Sequence, residues 1–327
     1  MKERDGRGAL ANKPHPIRGY AYIVAATFSW GVAAVLGRAV FTGRLLPSGT
    51  ALAPIDPLIL SQSRTSFSFV VLAVVLGWRR GWNRLRVPGA DLGKMALLGV
   101  LGVAASNYLY YLAIQKTSVA TAIVLQYTAP VLVLLYMVAR GIQTATVQRV
   151  LAVCLAVAGS ALAIGVVGPG TLQLNRVGVA AALLAAVSFA FYNITAHQIL
   201  TRYDRWIVLL YTTLAASAFW MVVNPPWKLL AAHYSGLQWG LLLVFAMFSS
   251  LLPFSFYFAG LQHLEPTRAI VSSCMEPVFS IVLAAILLGE VVRPVQALGI
   301  VVVLAAIVIV QLPEQAGEEC AVVEPIE

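Results

Sequence analysis

Ten stretches of roughly 20 mostly apolar residues follow one another along this chain, each long enough for a helix to cross the hydrocarbon core of a bilayer. They cover residues 19–43, 56–78, 93–115, 117–139, 145–166, 176–199, 206–224, 237–261, 266–289 and 293–312. The run at 206–224 is the weakest, because Tyr211 to Ser217 is only moderately apolar. Lipid offers no partner to a backbone N–H or C=O, so such segments satisfy their hydrogen bonds internally, as helices. The expected fold is an all-α membrane protein with ten transmembrane helices. Composition agrees: 60% of the 327 residues are apolar and 11% are charged, against about a quarter charged in soluble domains. Too little charged surface remains for a soluble enzyme, a nucleic-acid-binding protein or a disordered chain.

The charges that exist mark orientation. The net charge is +9, and the basic residues fall mainly between the apolar runs. With the N-terminus in the cytoplasm, the inner segments hold Lys2, Arg4, Arg7, Lys13, Arg18, Arg79, Arg80, Arg84, Arg86, Lys94, Arg140, Arg149, Arg202, Arg205 and Arg268. The outer segments hold only Arg44, Lys116, Arg176, Lys228 and Arg293. This asymmetry places both termini in the cytoplasm under the positive-inside rule, and for a bacterial source it implies the inner (plasma) membrane. Residues 1–18 form a basic cytoplasmic segment, and the first apolar run is too long, with no clear cleavage site, to be a signal peptide. Residues 313–327 form an acidic tail expected to be disordered.

The chain also repeats itself. Tyr111-Leu-Ala113 has a counterpart in Tyr257-Phe-Ala259, Ala122-Ile-Val124 in Ala269-Ile-Val271, and Pro130-Val131 in Pro277-Val278. The two halves, 19–166 and 176–312, thus carry five spans each. Five is odd, so the second half enters the membrane from the opposite side, as an inverted repeat. Such repeats are typical of transporters that alternate access around a site at the repeat interface.

Several motifs carry a resemblance. Ser29-Trp30-Gly31, Asn107-Tyr-Leu-Tyr-Tyr-Leu-Ala-Ile-Gln115-Lys-Thr-Ser118 and Thr128-Ala-Pro130-Val131 resemble a first EamA repeat. Glu276-Pro277, running on to Gly289-Glu290, resembles the end of a second. The chain is similar, over about residues 19 to 312, to the drug/metabolite transporter superfamily. The resemblance implies a five-plus-five inverted arrangement around a central cavity, and secondary transport, often export, of amino acids or other small metabolites. One departure is visible: the first half ends in Gly141-Ile-Gln143 where Gly-Glu is common.

Glu276 is the foremost candidate for function. A charge at the bilayer centre costs about 3 kcal/mol on insertion scales, so it persists where it is used. Glu276 stands beside Pro277, and its repeat partner is Ala129, so the acid is unique to one half. It suits a substrate ammonium group or a coupling proton, with Arg64 or nearby hydroxyls as the alternative, purely structural partners. Arg64 is the second intramembrane charge, an anion site or a hydrogen-bond anchor; Arg38 snorkels to the headgroups. Asn107 and Tyr111 share a helix face. Gln126 and Ser273 each precede a proline by four. Asn107, Gln126 and Asn193 should face the interior, because an unpaired amide in hydrocarbon is costly, although each also suits an interhelical hydrogen bond. Trp30, Tyr110, Tyr111 and Tyr192 offer aromatic faces to a substrate, whereas Trp78 and Trp82 fit an interfacial belt. The expected substrate-binding set is Trp30, Asn107, Tyr111, Gln126, Tyr192, Asn193, Ser273 and Glu276, with helix breaks at Pro130, Pro253 and Pro277. His197 is expected at a helix interface.

Other functions fare worse. There is no phosphate-binding loop for ATP. Cys154, Cys274 and Cys320 show neither a disulfide framework nor metal spacing, and no cofactor is implied. His197, Asp204 and Glu276 form no catalytic constellation by spacing. Sugar or nucleotide-type metabolites would need more cavity cations than Arg64; cationic drugs would be drawn to Glu276; a channel or receptor scaffold is the alternative of another kind. The expected partners are a small-molecule substrate and the lipid bilayer. Small residues in the fifth and tenth spans, as in Ala156-Val-Ala-Gly159-Ser-Ala161 and Leu298-Gly299, suit either a homodimer surface or packing within one bundle.

Overall fold

The computed structural model describes residues 15–41, 57–117, 119–165, 175–231 and 234–312. The basic segment up to residue 14 and the acidic tail 313–327 lie outside the described residues, as does the side chain of Arg38. Ten helices are long and apolar enough to span a membrane: α1 (Pro16–Leu36), α2 (Leu58–Arg80), α3 (Gly89–Lys116), α4 (Thr121–Ala139), α5 (Val147–Ile164), α6 (Arg176–Leu200), α7 (Arg205–Val223), α8 (Gly236–Leu261), α9 (Pro266–Leu288) and α10 (Pro294–Gln311). They match the expected runs to within a few residues. Side-chain caps, invisible to hydropathy, set several of the starts. Asp204 accepts from the Trp206 N–H and starts α7, Asn175 accepts from the N–H groups of Val177 and Gly178 and starts α6, and Ser235 with Gln238 forms a capping box at α8. Each cap satisfies a backbone donor that the first helical turn leaves open.

The two halves share their irregularities. In α4 the helix stops at Gln126 and resumes at Ala129; in α9 it stops at Ser273 and resumes at Glu276. Pro130 and Pro277 lack the N–H that would reach the carbonyls of Gln126 and Ser273 four residues earlier. The chain tightens there to three-residue bonds, as from the Thr128 N–H to the Leu125 carbonyl at 3.2 Å and from the Met275 N–H to the Ser272 carbonyl at 3.2 Å. Matching α3 and α8 each widen into a π segment, at Leu98–Ala104 and Met247–Leu251. Pro253 therefore does not break α8 as expected: the helix continues through the wider turn. After α4 and α9 stand Gly141 and Gly289, both at φ 66°, a left-handed conformation that glycine adopts without a Cβ clash.

The fifth and tenth helices pack on each other within the chain. A Cβ at Gly159 would lie 2.8 Å from the Val303 backbone nitrogen, and one at Gly299 only 2.2 Å from that of Ala163. The small residues thus let two backbones meet, which resolves their role in favour of packing within the bundle. Outward-facing Val74, Leu135, Ile286 and Val301 are exposed, as lipid-facing positions should be.

Candidate functional site

A cavity of about 1110 Å³ opens into the middle of the bundle. Its mouth is lined by Val35, Leu60, Gln115, Gly165 and Glu290, all near helix ends on one side; its depth is reached at Phe245, Ser249, Ile270 and Ser273. Every helix ends on one side or the other in alternation, so the mouth side carries the end of α1 and the start of α2. Among the described residues, none that lines the cavity comes from the opposite ends, where α5 and α9 begin.

Both intramembrane charges face this cavity. Arg64, 6% exposed, is held from three directions. It donates to the Asn107 Oδ1 at 3.4 Å, to the Tyr111 hydroxyl and to the Ser249 carbonyl, and its guanidinium stands 5.6 Å from the Tyr111 ring centre. The last carbonyl is available for a local reason. Pro253 has no N–H to offer the Ser249 carbonyl four residues back, and the guanidinium donates there instead. The matching π segment of α3 likewise has a carbonyl, at Leu101, that accepts from the Ser188 hydroxyl of the other half. π segments often mark functional sites.

Glu276 is the first residue of α9 after the break. Its Oε2 accepts from the Tyr127 hydroxyl at 3.1 Å, and Tyr127 itself sits in the matching break of α4. Among the described residues, Glu276 and Arg64 make no ion pair with each other. The site therefore offers an anion and a cation as separate poles of one chamber. Tyr110 and Tyr111, in ring contact at 5.4 Å, line it as well.

Of the expected substrate-binding residues, Trp30, Asn107, Tyr111, Gln126, Ser273 and Glu276 line the cavity together with Arg64, Pro130 and Pro277. Tyr192 and Asn193 do not. Tyr192 is 1% exposed, stacked on Phe189 and Phe258 behind the wall. Asn193 is fully buried, donating to the Phe189 carbonyl at 2.8 Å and accepting from the Tyr257 hydroxyl. Polarity correctly predicts that Asn193 faces inward, but its amide is consumed by packing. His197 contacts the Leu261 carbonyl at 2.9 Å, an interface role as expected. Trp78 and Trp82 are exposed. Tyr127 and Ser249 escape sequence reasoning; their signals are Tyr127's place in the turn before Pro130 and Ser249's spacing of four before Pro253.

Comparison with known proteins agrees with this architecture. The threonine/homoserine exporter RhtA of Escherichia coli K12 is 28% identical over 249 residues, covering 73% of this chain and 76% of that protein. The inner membrane transporter YicL of Salmonella typhimurium is 22% identical, covering 71% and 77%. The transporter YcbK of Bacillus subtilis is 26% identical, covering 64% and 69%. A solved crystal structure superposes with a TM-score of 0.69 at 16% identity, covering 91% of this chain and 98% of the other, and so shares the fold. The EamA-like transporter family matches twice, over residues 17–165 and 176–312. Two five-helix units, inverted with respect to each other and each recognised separately, make this chain a multi-pass membrane transporter, not an enzyme, and a member of the EamA-like transporter family.

Proposed function

We propose that the protein is a secondary active transporter that exports small organic metabolites, amino acids foremost, by alternating access around the central cavity. The observation that carries this reading is the separation of Arg64 and Glu276 within one chamber. A zwitterion brings a carboxylate and an ammonium group together, and two fixed poles of opposite sign complement it. The helix breaks beside Glu276 add backbone carbonyls to the ammonium pole, and the tyrosines and Trp30 offer aromatic faces to a side chain. The volume lies slightly above the usual range of about 300–1,000 Å³ for small-molecule sites, enough for an amino acid with water. The similarity to a threonine/homoserine exporter supports the same class.

Glu276 also serves as the coupling site: a carboxylate that binds either a proton or an ammonium group exchanges one for the other. The positive-inside orientation puts both termini in the cytoplasm and the cavity mouth on the far side, at the inner membrane of a bacterium. Counterflow in proteoliposomes, with about 20 labelled amino acids tried in turn, tests the proposal. Exchange of at least one, saturable and dependent on internal unlabelled substrate, is the expected result. Failure of all of them overturns the substrate class; flux without counterflow overturns the carrier mechanism.

A further inference from the structure

We propose that Gln143, Arg149, Glu265 and Thr267 form the gate that seals the transport path on the side opposite the cavity mouth, with Gln143 as the residue that joins the two halves. The inference rests on the alternating-access reading above, which requires the closed side to be sealed by contacts that can part.

The location is set by the helix register. The cavity ends at Ile270 and Ser273. Thr267 lies three residues before Ile270 on the same helix, or about 4.5 Å along its axis at 1.5 Å per residue. Pro266, Thr267 and Ala269 are buried there. The seal thus lies directly beneath the cavity floor.

Its bonds run between the halves. Gln143, from the turn after α4, donates through Nε2 to the Glu265 Oε2 at 2.9 Å and accepts through Oε1 from the Thr267 hydroxyl at 2.7 Å. Arg149 of α5 places Nη2 3.5 Å from the same Glu265 Oε2 and donates to the Thr144 carbonyl at 3.1 Å. Gln143 and Arg149 belong to the first half, Glu265 and Thr267 to the second. Gln143 and Thr267 are both buried, which shields the bond between them from water, while the Glu265 side chain, 48% exposed, forms the outer, solvent-facing rim of the cluster.

The residue type at 143 follows from the chemistry. A side chain here must donate to a carboxylate and accept from a hydroxyl at once. An amide does both, whereas an ionised carboxylate only accepts. A glutamate at 143 would set a second negative charge against Glu265. Directly after the left-handed Gly141 stands Ile142, which is exposed, and Gln143 one place further on supplies the amide. After the left-handed Gly289 the second half has Glu290, which lines the open mouth.

Accessibility from each side of the membrane tests the gate. The reporter is Ser280→Cys on the cavity wall, in a chain with Cys154, Cys274 and Cys320 replaced by alanine. It is reacted with a membrane-impermeant maleimide in vesicles of either orientation. The parent chain should label from the mouth side and, more slowly, from the opposite side. Gln143→Glu and Glu265→Gln should each raise opposite-side labelling, relative to mouth-side, about tenfold, the scale of one lost charge-assisted hydrogen bond. The double variant exchanges amide and carboxylate across the same bond and should return the ratio to within about threefold of the parent. Thr267→Val removes only the bond to the Gln143 Oε1 and should shift the ratio about threefold; it carries the test if Gln143→Glu fails to fold. Unchanged ratios in the single variants, or no recovery in the double one, overturn the gate while leaving alternating access standing. A parent chain that labels only from the mouth side under exchange conditions overturns both.

Discussion

Replacing Glu276 by glutamine isolates the charge at the centre of the proposed site. The glutamine keeps the volume and an acceptor oxygen, so the bond from Tyr127, 3.1 Å long in the parent, survives and the break in α9 is undisturbed. No ion pair with Arg64 is lost, because among the described residues the two make none with each other. What disappears is a unit negative charge facing the cavity. Two unit charges 4 Å apart attract by about 4 kcal/mol at an effective dielectric of about 20, and desolvation of the ammonium group offsets much of this. The net value of a charged hydrogen bond, about 1.5–3 kcal/mol, predicts an affinity loss of about 10- to 150-fold for an amino acid. Calorimetry on the purified protein measures it, with a transported amino acid and its des-amino analogue compared side by side. The analogue should bind parent and variant within about twofold of each other, since it has no ammonium group to lose its partner. Equal losses for the two ligands would refute the reasoning, because the defect would then be one of shape or folding. Tyr127→Phe, which removes one hydrogen bond to the carboxylate, should weaken amino-acid binding by about two- to tenfold.

Further outcomes follow from packing. Gly299→Ala drives a Cβ into the Ala163 backbone at 2.2 Å, and thermal denaturation in detergent should show a loss of about 1–3 kcal/mol, with α5 and α10 separating. Between α2 and the end of α7, Gln62 Nε2 donates to the Asn224 backbone carbonyl at 2.9 Å and Gln62 Oε1 accepts from Asn224 Nδ2 at 2.7 Å. Gln62→Leu should cost about 1–3 kcal/mol by stranding both the Asn224 amide and its carbonyl, and Asn224→Leu less, because the bond to the backbone carbonyl survives; a denaturation cycle measures both. Tyr192→Phe should leave KM within about twofold, because its hydroxyl lies behind the cavity wall and has no hydrogen-bond partner among the described residues, so no contact is lost. Between α8 and α9, His263 has its pKa lowered below 6.5 by burial first and then by Arg18, His15 and Arg205. A depressed folded-state value means that the unfolded chain takes up the proton first. Its contribution is therefore complete above about pH 6.5 and lost as pH falls towards the folded value. The thermal midpoint should drop slightly more between pH 7 and 5.5 in the parent than in His263→Asn, by a small amount because His263 is mostly solvent-screened.

Much of this site is legible in the sequence for one reason: lipid punishes polarity. Arg64 and Glu276 stand out because an unused charge would not persist in an apolar run, and Gln126 and Ser273 stand out through their prolines. The same signal cannot separate a polar group that faces a cavity from one that faces another helix. Asn107 and Asn193 are equally conspicuous, yet the first lines the chamber beside Arg64 and the second is tied up between Phe189 and Tyr257. Tyr127 is missed because an aromatic residue is unremarkable in a membrane span; only the fold brings its hydroxyl to a carboxylate 149 positions away.

By itself the sequence determined the solvent, the ten helices, the inverted five-plus-five arrangement and the two buried charges. Those follow from run length, from an odd number of spans per repeat and from the cost of charge in hydrocarbon, all local or periodic properties. Tertiary structure alone decided which side of the bundle is open, that Arg64 and Glu276 stay apart, that Pro253 yields a carbonyl to Arg64 instead of breaking α8, and that Gly159 and Gly299 bring α5 and α10 together. Each of these depends on distances between residues far apart in the chain, and a pattern of residue types along one line carries no such distance.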